Sequence, residues 1–314
     1  MALCVVGVHS WQVTAPAEGY PAVSTLFNVF PVRVSFFFVL SGFLLGLKLH
    51  AAAGREARSA ACRRHLSHSF RLFFYWALLY VPLAVAAAWL NDAPWWRDLG
   101  AYFADLLLRG EPVWGQALWY VYSMSITVSI IYLFERRGWS LAPLWVFGVA
   151  SAIYCNIYEY HSALSESPAA MFAYGILDRP LKGILFMLVG VALARYSGRV
   201  GRMWLPGLVL LAACPLFYGL RLPLLEQVAG TGMFMLAASV PMPESPVYLE
   251  LRVMSKFVYF AHLFFIFAAW LLQHFGIVQW HYYELWAAAA IASLALAFTL
   301  GRLRHRFPAI NHWL

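Results

Sequence analysis

Ten apolar runs separated by short polar connections dominate this chain, and they restrict its solvent to hydrocarbon. They cover roughly residues 1–13, 29–48, 70–90, 115–134, 141–157, 180–196, 203–220, 223–241, 254–274 and 284–302. A helix needs about 20 apolar residues to cross a bilayer, and most of these runs approach that length. Hydrophobic residues make up 63% of the chain and charged residues 11%, against about 25% charged in a soluble domain. The pattern predicts an all-α, polytopic transmembrane helix bundle of about ten spans, a single domain over 1–314 with no soluble appendage. Two runs are interrupted by charge. One begins beside Asp178 and Arg179 and carries Lys182; the other carries Glu226 and is broken by Gly230 and Gly232. The first run is short, because Pro16 follows about a dozen apolar residues.

The net charge is +8, and its distribution matters more than its size. Basic residues gather in alternate connections: Lys48 to Arg71, Arg136 and Arg137, Arg195 to Arg202, Arg252 and Lys256, and Arg302 to Arg306. The intervening connections take most of the acids, including Glu18, Asp92, Asp98, Asp105, Glu111, Glu159, Glu166, Asp178 and Glu284. By the positive-inside rule this predicts an even number of spans with both termini cytoplasmic. No basic face interleaved with aromatics is present, so nucleic acid is not an expected partner. The first run has no basic lead and no cleavage pattern, so no cleavable signal peptide is expected. Cys4, Cys62, Cys155 and Cys214 lack metal-ligand spacing and read as small apolar residues. No dinucleotide-binding glycine motif, P-loop, metal-binding pair or nucleophile elbow occurs. No metal and no tightly bound cofactor are expected.

Within such a chain the informative residues are polar ones inside apolar runs. His9 lies in the first run, and its type suits a base that takes a proton from an alcohol at neutral pH. Arg33 and Ser41 belong to Arg33-Val-Ser-Phe-Phe-Phe-Val-Leu-Ser-Gly-Phe. Ser41-Gly42 offers a small surface for close helix approach, and Arg33 needs an anionic partner or an interface. Arg64, His68 and Arg71 precede an aromatic run. Trp119 opens the fourth span. Ser255, Tyr259 and His262 fall on one stripe of a helix.

Taken in order, these residues resemble the acyltransferase-3 family of multi-pass membrane O-acyltransferases. The resemblance runs from His9 through Val34–Phe43, His68-x-x-Arg71, Leu118-Trp119-Tyr120 and the Lys182–Gly190 helix to Ser255-x-x-x-Tyr259-x-x-His262. It implies that His9 is the catalytic base, acting directly or through a transient acyl carrier step. It implies that Arg71, with His68 and Arg64, meets the phosphates of an acyl-CoA donor, acetyl-CoA or another. Arg33, Ser41, Trp119, Tyr259 and His262 would surround the acceptor, a hydroxyl of a cell-envelope sugar or polysaccharide precursor. The expected location is the bacterial inner membrane. Three positions depart from the family pattern: His68 replaces the first arginine of its pair, Ala117 stands where a histidine precedes Leu-Trp, and the arginine expected about ten positions before His9 would fall ahead of Met1, so that either the start is truncated or misassigned or the chain lacks that group. These departures keep an inactive scaffold open as a reading, and the intramembrane charges and broken spans keep open a transporter or flippase for a small anion or lipid-linked sugar.

Overall fold

The computed structural model describes residues 2–18, 26, 28–31, 34–160, 168–241, 245–304 and 306–307. Among them all regular structure is helical: α1 (Ala2–Glu18), α2 (Ser35–Ala51), α3 (Gly54–Leu90), α4 (Trp95–Leu108), α5 (Leu118–Arg137), α6 (Ala142–Tyr160), α7 (Pro168–Leu193), a 3-10 stretch (Ala194–Arg202), α8 (Trp204–Gly219), α9 (Leu225–Ser239), α10 (Pro246–His274) and α11 (Tyr282–Leu303). The protein is an all-α membrane bundle.

Each of the ten predicted runs carries a helix, but the number long and apolar enough to cross a membrane is lower. Among the described residues four qualify by length and composition: α3, α5, α10 and α11. The physical reason is visible in the others. α2, α8 and α9 have 17, 16 and 15 residues, short of the roughly 20 a crossing requires. α7 has 26 residues but carries Asp178, Arg179 and Lys182 in its middle. α4 was not expected at all. It lies in the connection 91–114, buries only Tyr102 and Leu106 of its side chains, and at 14 residues is too short to span.

The bundle is organised around α2, which touches α3, α7 and α9 and reaches α5. Its tightest partner is α7. A Cβ added at Gly42 would fall against the Met187 carbonyl and 2.7 Å from Met187 Cα. At Gly46 it would meet Ala194 Cβ at 2.7 Å and Val191 Cα at 2.8 Å, and at Gly190 it would meet the backbone of Val39 and Phe43. Gly42 and Gly46 thus form a small-xxx-small face that lets two backbones approach closely, as membrane helices do. Phe38 fills the adjoining space, stacked on Phe186 at 5.8 Å and edge-on to Tyr120 at 4.8 Å. Across the bundle, α1 packs between α10 and α11. Trp286 Nε1 donates to the Leu3 carbonyl at 2.8 Å, tying α1 to α11. The two groups of helices meet where Tyr80 donates to the Phe260 carbonyl at 2.5 Å and Trp76 stacks on Phe260 at 5.0 Å.

Adding a methyl at the α2–α7 contact overpacks backbone rather than flexible side chain, so Gly42→Ala is expected to cost roughly 1–3 kcal/mol. Gly100→Ala, which meets nothing within 4 Å, is expected to leave stability unchanged or slightly raised. Thermal melts of both variants in the same detergent check this: a Gly42→Ala midpoint equal to the parent's contradicts the packing account.

Candidate active site

His9 sits mid-helix in α1 and is buried, with 8% of its surface exposed. Its ring lies 5.1 Å from that of His262, inclined by 35°. The pairing follows from helix geometry: α1 and α10 are packed neighbours, and each turns its histidine stripe to the other. His262 is fully buried. Its Nδ1 is 3.1 Å from the Val258 carbonyl one turn back. A carbonyl only accepts, so Nδ1 carries the proton and Nε2 of the neutral ring is left as an acceptor. Nε2 is buried and has no hydrogen-bond partner among the described residues.

His9 lines a cavity of about 230 Å³. Its polar walls come from four other places: Ser35 at the start of α2, Glu111 in the α4–α5 connection, Arg179 and Lys182 on α7, and Glu226 at the start of α9. Trp119 and Phe186 supply aromatic surface. Charges this far inside an apolar bundle have to compensate one another, and they do. Arg179 grips Glu111 in a two-pronged pair, Nε to Oε2 at 2.5 Å and Nη2 to Oε1 at 3.1 Å. The same guanidinium lies 4.9 Å over the Trp119 ring and 3.3 Å from Asp178. Lys182 pairs with Glu226 at 3.1 Å. Arginine suits the first position because its planar fork meets a carboxylate twice and stacks on an aromatic face.

The expected site residues divide into three groups. His9, Trp119 and His262 come together. Ser41 and Tyr259 lie one layer away, with their hydroxyls used in joining helices. Ser41 Oγ is hydrogen-bonded to Tyr120 Oη at 2.6 Å, and Tyr259 Oη donates to the Ala117 carbonyl at 3.1 Å. The Tyr259 ring is 6.4 Å from His262, so it forms the wall behind that imidazole. Ser255, although on the same sequence stripe, bonds to the Arg252 carbonyl and does not join them. Arg64, His68 and Arg71 form the third group. All three are exposed on α3, and none lines the cavity of His9. Arg71 donates weakly to the Ser67 carbonyl at 3.4 Å and borders an outer groove with Phe70, Phe74, Tyr75 and Leu78. Arg33 lies outside the described residues.

The residues not singled out for the site are Glu111, Arg179, Lys182 and Glu226. A signal was present for three of them: Arg179, Lys182 and Glu226 are the charges that interrupted two apolar runs. Such charges mark functional surfaces in membrane proteins more often than they mark the end of a span. Glu111 carries no signal of its own, since it lies in a connection that also holds Asp105 and Arg109.

The arrangement can hold a small polar molecule beside the His9 imidazole. Among the described residues no group of three or more His, Cys, Asp or Glu side chains could hold a metal ion. Comparison with known proteins supplies the family. No curated protein and no solved structure matches the chain. The model of the acyltransferase-3 family, described as an acyltransferase domain, matches residues 1–302. That range takes in His9, Trp119 and His262 as well as the charged walls of the cavity, and the chain belongs to the acyltransferase-3 family.

Proposed function

We propose that this membrane acyltransferase moves an acetyl or other acyl group from acyl-CoA to a hydroxyl of a cell-envelope sugar or polysaccharide precursor. The observation that supports it most is the buried His9–His262 pair at the edge of a charged cavity. An apolar bundle does not keep two facing imidazoles there for packing alone, because each brings a polar edge that hydrocarbon cannot satisfy.

In this reading His9 takes the proton from the acceptor hydroxyl as that oxygen attacks the thioester carbonyl. The carbon–oxygen bond forms, the carbon–sulfur bond breaks, and the proton passes from the imidazolium to the leaving thiolate. His262 stands against the His9 ring and orients it, with Tyr259 behind. Trp119, held under Arg179, walls the acceptor's end of the cavity, and Ser41 holds the Phe37–Tyr120 layer beneath it. The ion pairs contribute fixed dipoles where charge develops and cost no reorganisation during the reaction. Exclusion of water limits wasteful hydrolysis of the thioester.

The donor carries several phosphates, and the exposed basic half of α3 is where a soluble polyanion can be met. Arg71 is its main contact in this reading, with Arg64 and His68 beside it. The enzyme then sits in the bacterial inner membrane with both termini and the basic half of α3 on the cytoplasmic side, and the acceptor approaches from the other face. Arg33 belongs to the acceptor's surroundings.

Purified protein in liposomes, given radiolabelled acetyl-CoA and crude envelope glycan, tests the reading directly. Label is expected on glycan with the parent chain. His9→Ala is expected to lower transfer by at least a hundredfold, the loss of a general base, while the variant elutes and melts like the parent. Transfer at the parent rate by His9→Ala ends the base assignment. Arg71→Ala is expected to raise KM for acetyl-CoA about tenfold, as loss of a charge-assisted phosphate contact does, with kcat nearly unchanged. An unchanged donor KM removes Arg71 from donor binding.

A further inference from the structure

A second cavity is larger than the one His9 lines. It measures about 550 Å³, inside the roughly 300–1,000 Å³ range of small-ligand sites. It lies against the same two helices as the histidine pair. Val13, one turn beyond His9 on α1, lines it, and so do Leu263 and Ile266, which flank His262 on α10. It also shares the α4–α5 connection with the first cavity: Glu111 faces His9's cavity, while Trp114 and Gln116 face this one.

We infer that this second cavity, walled by Trp114, Trp270 and Tyr102, is the subsite that binds the acceptor's neutral sugar ring. The inference rests on the proposal that the acceptor is a sugar hydroxyl. Three observations carry it. First, the walls are broad, fixed aromatic faces, which suit the C–H faces of a pyranose. Trp114 is wedged edge-on against Phe267 at 4.8 Å and against Trp270 at 5.2 Å. It holds a φ of +60°, a left-handed backbone that bulky residues rarely adopt and that clusters at binding sites. Second, the polar lining is made of hydroxyl partners: Asn91 and Gln116 amides and the Asp98 carboxylate. Third, among the described residues the lining holds no Lys, Arg or His. A polyanionic acyl-CoA would meet Asp98 and no cation, whereas a neutral polyol donates to that carboxylate. The Asn91–Asp98 rim sets the cavity apart from a slot for a lipid chain, which needs no such groups.

A sugar held there lies against α1 and α10 at Val13 and Ile266, each one helical turn along from its helix's histidine, with Asn91 and Asp98 at its hydroxyls. Trp114 and Gln116 are positioned by the same connection that carries Glu111, so sugar occupancy and the Arg179 pair share one backbone segment.

Saturation-transfer NMR of the detergent-solubilised protein with cellobiose, maltose and N,N′-diacetylchitobiose reads binding without any acyl transfer. At least one disaccharide is expected to bind. Trp270→Phe and Asp98→Asn, both conservative, are each expected to weaken that binding about three- to tenfold. Trp139→Phe, an exposed control, is expected to leave it unchanged. In the transfer assay the two cavity variants are expected to raise acceptor KM by the same factor with donor KM unchanged. Disaccharide binding that both cavity variants leave intact overturns the inference, even if transfer proceeds. Binding of a brominated acyl chain that quenches parent but not Trp270→Phe tryptophan fluorescence, with no sugar binding, overturns it in favour of lipid. Sugar binding lost in the variants while the parent shows no transfer would keep the subsite and reject the transferase reading.

Discussion

Arg179 has to be neutralised where it lies, and the way it is neutralised organises the rest of the site. A guanidinium in hydrocarbon is tolerable only with an anion and a full set of hydrogen bonds. Glu111 supplies both prongs and Trp119 supplies the face. That single group therefore pins three separate pieces of chain together: α7, the α4–α5 connection and the first turn of α5. Truncating Glu111 would take away the two-pronged partner and leave Arg179 with the Asp178 contact at 3.3 Å. The connection that carries Glu111 also carries Trp114 and Gln116, so the walls of both cavities are set by the same pair. Lys182 and Glu226 repeat the arrangement between α7 and α9, which closes the opposite side of the cavity.

Close approach of α2 and α7 makes that arrangement possible. With Cβ atoms at Gly42, Gly46 and Gly190 the two backbones could not meet, and Arg179 and Lys182 on α7 would stand off from His9 and α2. Gly183 serves the same end. Its amide donates to Ser123 Oγ at 3.0 Å, and an added Cβ would lie 2.6 Å from both that oxygen and the Phe38 ring. Ser123 in turn donates to the Pro180 carbonyl at 3.2 Å. The segment that holds both cations is thereby locked to α5 by backbone groups, and the charged side chains need not hold it themselves.

Much of this was legible in the sequence, for a physical reason. Hydrocarbon forces a helix onto every long apolar run, so all ten runs appear as helices, although α3, α7 and α10 begin at Gly54, Pro168 and Pro246, well ahead of the runs that start at 70, 180 and 254. What hydropathy could not show is which helices are short or interrupted, because a charge inside a run reads as a weak span until its partner is known. Asp178, Arg179, Lys182 and Glu226 made two runs weak for the very reason that they build a site. His9 and His262 were each readable, but their contact was not, since 253 positions separate them and only the packing of α1 on α10 joins them. The basic group Arg64, His68 and Arg71 was readable as charge and not as location; it lies on the exposed side of α3. Trp114 was readable as an interfacial aromatic near a span end and Gln116 only as the neighbour of Ala117, neither as the wall of a cavity. Their arrangement depends on a left-handed backbone at Trp114 that no residue preference announces.

The two cavities give the histidine pair a defined asymmetry. On one side of it the walls are ionic and already compensated, with Arg179 and Lys182 both engaged by carboxylates. On the other side they are aromatic and uncharged except for Asp98. An ionic wall with its charges paired stabilises charge that appears during a reaction without binding a resting anion tightly. An aromatic wall with a few polar groups binds a neutral polyol by shape and hydroxyl direction. The histidine pair stands between these two regions. That division follows from where α1 runs: Val5, Val8 and His9 face one cavity, and Val13, a turn later, faces the other.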